Sequence, residues 1–317
     1  MKIKFNPQTI LLFLLFICSF STYGQYNIFH YSPNEREDFK KRSLYVALGD
    51  KDAAASKPYI DMIKNSWTNS EVQFINYDDI EKHTAEHALF LWIDITTSTS
   101  STNPTAGAGQ SKGLTWSNTY YFLTLWQPVT GKKGKFEVDP ITRISIFTDY
   151  ASIQNPSLTF NSDYSKEGHI RNWSVGILKN YIQTILMIMD GKAFKLKDYR
   201  DKPELDKLKT ETLYIPDYTF INFDKWTGDE TKRFEVTDLM KDYEFQYKVV
   251  TSEELSQKIL NEQNPIYYFL YVKNSTTKYI SVINSQTGKI VYAYGDMEGN
   301  YNIKPSDLKD LSKAIKK

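Results

Sequence analysis

Two six-residue stretches decide how this chain is read: Ala88-Leu89-Phe90-Leu91-Trp92-Ile93 and Ile266-Tyr267-Tyr268-Phe269-Leu270-Tyr271. Each is a short apolar run of the kind a buried strand requires. Each also sits in the same surroundings. Upstream come a short strand (Leu44-Tyr45-Val46 or Leu213-Tyr214-Ile215) and a helix at residues 58–67 or 236–243. A second strand follows, Glu71-Val72-Gln73-Phe74 or Glu244-Phe245-Gln246-Tyr247, and then an acidic helix start, Asp78-Asp79-Ile80 or Glu253-Glu254-Leu255. Acidic residues suit that position because a helix amino terminus carries partial positive charge, and Ser252 is a reasonable N-cap. Downstream, partner strands at 120–126 and 279–283 lead to Thr130-Gly131-Lys132 and Thr287-Gly288-Lys289. Gly288 lies between two alternating strands, where a residue that tolerates positive φ closes a hairpin at little cost.

This order predicts an α/β or α+β fold made by tandem duplication of a β-α-β-α-β-β-α unit, a mixed sheet backed by helices. The first repeat covers residues 43–191 and the second 212–317. Between them, residues 192–211 are dense in Lys and Asp and predict an exposed linker. The first repeat carries an insertion at 96–117, rich in Ser, Thr, Gly and Ala, which reads as a long loop within one hairpin. It closes with a helix at 169–190, in which Ile170, Trp173, Ile177, Tyr181, Ile185 and Met189 form an apolar stripe. Lys179, Asn180 and Gln183 in its middle make it a poor membrane span, so it is expected as a core or inter-domain helix. Residues 306–315 predict a shorter counterpart.

Residues 1–24 have the grammar of a secretory leader. Lys2 and Lys4 precede the apolar run Ile10–Phe20, which is too short to span ~30 Å of hydrocarbon as a helix. Thr22-Tyr23-Gly24 places small residues at −3 and −1, so cleavage is expected before Gln25 and no membrane span is expected after it. The one cysteine, Cys18, lies within that run, and the bulky Ile17 before it argues against lipidation. A thiol-free mature chain excludes disulfides, Cys-based zinc sites and dithiol redox chemistry. With 39 basic against 38 acidic residues among 317, the charge balance argues against nucleic acid as the main partner. A leader ending in Gly-Gln, with few arginines and abundant Asn, Ile and Tyr, resembles those of Bacteroidetes, and implies export to a Gram-negative periplasm or outer membrane.

Two family resemblances arise from the element order. It is similar to the glutaredoxin version of the thioredoxin fold, whose redox function the missing thiols exclude. Residues 213–292 also resemble envelope domains of the CsgG and TolB amino-terminal type. The residues that carry this likeness are Phe245-Gln246-Tyr247-Lys248-Val249, Glu253-Glu254-Leu255, Ile259-Leu260-Asn261-Glu262 and the hairpin Gln286-Thr287-Gly288-Lys289-Ile290-Val291. The first half departs from the pattern with Trp126-Gln127-Pro128-Val129 before its Thr-Gly-Lys turn. The resemblance implies a non-catalytic periplasmic module that binds or scaffolds other envelope proteins.

Two further motifs bear on function. His83-Thr84-Ala85-Glu86-His87 matches the His-x-x-Glu-His pattern of inverzincin metallopeptidases. On a helix, His83 and His87 would share one face and hold zinc, with Glu86 as general base and Glu167 as the third ligand. Against this, the motif runs straight into the strand at 88–93, and residues 252–262 of the second half lack histidine. The plainer expectation is a solvated helix face. The second motif is the aromatic load. Trp92, Tyr120, Tyr121, Trp126, Tyr267, Tyr268 and Tyr271 fall on strands, either as ordinary core residues or as an exposed face that stacks on surface polysaccharide. Neither Thr-Gly-Lys turn is a phosphate-binding P-loop, no cofactor motif is present, and no residue set is singled out as catalytic.

Overall fold

The computed structural model describes residues 25–49, 51–83, 87–101, 115–130, 136–147, 170–192, 198–224, 230–274, 277–296 and 301–317. Among them the first half contributes strands β1 (Tyr26–Ile28), β2 (Leu44–Ala47), β3 (Val72–Phe74), β4 (Leu89–Ser101), β5 (Thr115–Thr130) and β6 (Phe136–Ser145). Its helices are α1 (Pro33–Phe39), α2 (Lys57–Ser66) and α3 (Val175–Met189). The second half contributes β7 (Tyr199–Arg200), α4 (Lys202–Leu205), β8 (Leu213–Pro216), α5 (Val236–Met240) and β9 (Tyr247–Val250). It continues with α6 (Ser252–Asn261), β10 (Tyr267–Asn274), β11 (Thr277–Asn284), β12 (Lys289–Asp296) and α7 (Pro305–Lys316).

The strands form two six-stranded mixed sheets, ordered β1-β6-β5-β4-β2-β3 and β7-β12-β11-β10-β8-β9. In both, a four-residue strand, β2 or β8, is parallel to its two neighbours and the remaining pairs are antiparallel. The α/β character expected from the sequence is present, and each sheet is larger than the repeat unit implied. Beyond β5 or β11 lies a further strand, β6 or β12, and a short strand from outside the unit, β1 or β7, covers its edge. That cover leaves fewer unpaired backbone groups at the rim.

Several local expectations change. The stretch at 192–211 is more than a linker. It holds β7, α4 and a 3₁₀ turn at Asp206–Lys209, with Leu205 and Leu208 fully buried. Lys207 and Lys209 are exposed and Lys202 and Asp206 partly so, and these charges dominate the composition of the segment. The two ends of the insertion at 96–117 are strand, because β4 and β5 pair outward from Thr96↔Tyr120 to Ser101↔Thr115, and its residues 102–114 lie outside the described residues. Thr and Ser side chains suit an extended, exposed ladder as well as they suit a loop. Helix α3 begins at Val175, capped by Ser174, whose hydroxyl accepts from the Ile177 N–H. The strand placed at 244–247 starts only at Tyr247. The cap of α6 is Thr251 rather than Ser252, in a reciprocal capping box with Glu254. Gly288 adopts φ +67° in the β11–β12 turn, as its position requires.

One continuous apolar core runs through both halves. Helix α3 lies between α2 and α6 and touches both β6 and β12. Its polar centre is what joins the halves. Lys179 donates to the Ile259 carbonyl (3.3 Å), Asn180 to that of Ser285 (2.7 Å), Gln183 to that of Gln286 (2.8 Å) and Thr184 to that of Gly288 (2.8 Å). The Tyr268 hydroxyl donates to the Asn180 side-chain oxygen at 3.0 Å. Close approach is enforced by glycine. A Cβ on Gly176 would lie 2.7 Å from the Ser256 carbonyl, and one on Gly288 2.6 Å from that of Asn180.

The second sheet is covered on both faces, and every residue of β10 and β11 is buried. Even-numbered residues of β10 face the first half, where the Asn274 amide bonds both the N–H and the carbonyl of Tyr121 at 3.0 Å. Odd-numbered residues face the helices of the second half. There Tyr267 donates to Glu204 (2.6 Å) and Tyr271 to the Tyr301 carbonyl (2.5 Å). On the same side a buried Lys278–Asp307 ion pair closes at 2.8 Å.

Replacing Asn180 by Leu strands the Ser285 carbonyl and the Tyr268 hydroxyl. Two such buried groups are worth about 2–4 kcal/mol, read as a lower denaturant midpoint, whereas Lys313→Ala on the surface leaves the midpoint within about 0.5 kcal/mol. Glu204 supplies a pH signature. Burial would raise its carboxyl, but hydrogen bonds from Lys207, Tyr267 and Asn284 outweigh it and hold the pKa at about 2. A depressed carboxylate stabilises the fold above its ordinary value of 4.5 and loses that contribution as pH falls towards 2. Glu204→Gln therefore flattens the thermal stability profile between those limits while leaving other acid-sensitive carboxylates in place.

Candidate functional site: the outer face of the first sheet

The two sheets differ in what covers them. The first packs one face, with Leu44, Val46, Leu89, Leu91, Leu123 and Leu125, into the shared core. Strand alternation turns Tyr45, Phe90, Trp92 and Trp126 to the other side, where they form a small separate cluster with Ile75 and Ile80. Among the described residues no α-helix contributes to that cluster; the 3₁₀ turn at Tyr77–His83 supplies Ile80 to it.

On this outer face Trp92 and Trp126 stack at 5.2 Å and 19°. Tyr77 meets Trp92 edge-on at 6.3 Å and is 62% exposed, more than any other large hydrophobic side chain described. Tyr120 and Phe122, two residues apart on β5, stack at 6.4 Å. Arg143 on β6 lies over two rings, 5.6 Å from Phe122 and 5.0 Å from Trp126, and reaches the Asp94 carboxylate at 3.1 Å. A register shift between Leu125 and Trp126 displaces β6 at this point. Burial pushes the Asp94 carboxyl above its ordinary range, and Arg143 with the Thr96 hydroxyl offsets this only in part.

Three polar atoms here are buried with no hydrogen-bond partner among the described residues: Thr124 Oγ1, Trp126 Nε1 and Arg143 Nε. Thr124 is directly opposite both Trp92 and Arg143, so the three belong to one patch. Each unmet group costs about 1–3 kcal/mol, which makes such a cluster unusual in a region that serves packing alone. Chemically, the patch offers stacked indoles for flat or apolar contact and an arginine already held by a carboxylate.

The aromatic residues named from sequence divide sharply. Trp92, Tyr120 and Trp126 belong to this face. Tyr267, Tyr268 and Tyr271 are core residues because both faces of the second sheet are covered, and Tyr121 is core because it lies on the inner face of the first; Trp92 and Trp126 are also buried, but in the separate outer cluster. Four members of the patch were not singled out from the sequence: Tyr77, Asp94, Phe122 and Arg143. The alternation Tyr120-x-Phe122-x-Thr124-x-Trp126, beside one of only six arginines, is the signal that could have found them.

The His-x-x-Glu-His segment does not form the expected helix face across its described residues. His83 ends the 3₁₀ turn and stacks on Tyr45 at 4.5 Å, whereas His87 lies in a bend and contacts Asp38 at 3.2 Å. Glu86 and Glu167 lie outside the described residues. Among the described residues no group of three or more His, Cys, Asp or Glu is placed to hold a metal ion. Nor is any helix among them long and apolar enough to cross a membrane.

Neither a family model nor a curated protein matches the chain in sequence. The geometry therefore carries the reading.

The raised Asp94 carboxyl fixes a sign. A carboxylate whose folded pKa exceeds its unfolded value costs stability when it ionises, so the cost appears as pH rises through the folded pKa. Asp94→Asn is expected to keep or slightly raise the melting temperature at neutral pH. A fall of several degrees would show instead that the ion pair with Arg143 stabilises the fold.

Proposed function

We propose that this chain is an exported, non-catalytic binding protein that engages another component of the cell envelope through the outer face of its first sheet. The observation that carries this reading is the asymmetry between the sheets. One is sealed on both faces, and the other carries a separate cluster in which Trp92 and Trp126 are buried, Arg143 is partly exposed and Tyr77 stands clear, and to which no α-helix among the described residues contributes. Aromatic and arginine side chains that can be desolvated together supply most of the energy at protein interfaces. The leader-like residues 1–24 and the likeness of residues 213–292 to envelope modules support an exported role in a Gram-negative, Bacteroidetes-like envelope. The strand order shared by the two sheets supports descent of the halves from one duplicated unit.

A second reading is favoured by the stacked indoles: the same face binds surface polysaccharide, with Arg143 and Asp94 bonding to hydroxyls. A third, a zinc peptidase using His83, His87 and Glu86, is disfavoured by the separate partners of the two histidines.

Site-specific photo-crosslinking in the native envelope separates these readings. A crosslinker at Tyr77 is expected to trap a discrete protein partner that one at Lys313 does not, and Arg143→Ala is expected to weaken that adduct at least fivefold. A polysaccharide that quenches tryptophan fluorescence, without a protein adduct, would favour the second reading. Stoichiometric zinc in the purified protein, lost in His83→Ala, would replace both with the peptidase. Equal crosslinking from Tyr77 and Lys313 would remove the outer face as the site.

A further inference from the structure

On the inner side of the first sheet, away from Trp92 and Trp126, a cavity of about 160 Å³ opens where β2 and β3 end. Val46, Leu48, Phe74, Ile60, Ile63 and Trp173 form its apolar lining. Tyr59 stands beside Trp173 with the rings 6.3 Å apart and only 20° from parallel, which gives the cavity one flat wall. Lys51 and Ser56 add polar groups, the lysine being shared with the Asp52 carboxylate at 2.9 Å.

Three observations converge on this space. It lies beyond the carboxyl ends of two parallel strands, the place where open α/β sheets receive their ligands. Its size is that of cavities which take up a single aromatic ring, roughly 150 Å³. Finally, the two halves treat the position differently. The chain leaving β8 turns at once through Asp217–Phe220 and buries Tyr218 and Phe220. After β2 the chain passes Gly49, at φ 120°, and contributes the small side chains of Ala53 and Ala55 to the lining, which leaves the room open.

We infer that this cavity is a binding site for a small planar molecule of one aromatic ring bearing a hydrogen-bonding substituent. The flat Tyr59–Trp173 wall and Phe74 take the ring, and Lys51 and Ser56 meet the substituent at the polar part of the lining. This site is separate from the outer-face site and does not depend on it.

Titration calorimetry and thermal shift on the full chain test the assignment with two ring alcohols of similar size, benzyl alcohol and cyclohexylmethanol. Benzyl alcohol is expected to bind saturably and raise the melting temperature, with the puckered saturated ring at least fivefold weaker. Ala55→Phe, which fills the cavity from its lining, is expected to abolish binding while crosslinking from Tyr77 is unchanged. Should that variant fail to fold, Ala53→Leu serves the same purpose. No saturable binding of either alcohol would overturn the proposal. So would equal affinity for the two, or undiminished binding in a folded cavity-filled variant.

Discussion

The structure depends on how one helix satisfies the backbone of its neighbour. A turn such as that between β11 and β12 exposes carbonyl groups that no strand can pair, and a buried carbonyl without a donor is costly. Asn180, Gln183 and Thr184 on α3 supply those donors from the other half of the chain. The helix could not approach closely enough with a side chain at Gly288 or Gly176. Because α3 also packs on α2, the same residues fix the first half against the second. The outcome is one core shared by two sheets, in place of two domains on a tether.

Seen this way, the polar centre of α3 has a meaning that its composition only hinted at. Lys179, Asn180 and Gln183 argued against a membrane span, and an inter-domain helix was the better reading. Residue type showed that these groups needed partners, and spacing placed them on a helix. Nothing local could show that the partners were carbonyls about eighty to a hundred residues downstream. The same limit explains the stretch at 192–211. Its lysines and aspartates dominate the composition, while burial of Leu205 and Leu208 depends on a surface formed much later in the chain.

Strand positions were the most legible part of the fold. Alternation and apolar runs located β2, β4, β8, β10 and β11, and the glycine of the second turn announced its positive φ. The candidate site was harder to see, because alternation says that two faces differ without saying which is covered. Tyr267, Tyr268 and Tyr271 read like Trp92 and Trp126 in sequence. Elements packed on both sides turn the former into the shared core, whereas the latter are buried in a separate outer cluster to which, among the described residues, a 3₁₀ turn and no α-helix contributes. Arg143 becomes notable only once β6 is known to lie beside β5.

The amino-terminal strand has a consequence for when the chain can finish folding. Gln25 accepts a backbone bond from Ser145 and a side-chain bond from Ser281, and β1 begins at the very next residue. Gln25 thereby ties the edge of the first sheet to a residue 256 positions further along the chain. That tie can form only when β11 is in place, so the strand nearest the start of the described chain is among the last to be fully secured, and the first sheet keeps a loose edge until the second is built.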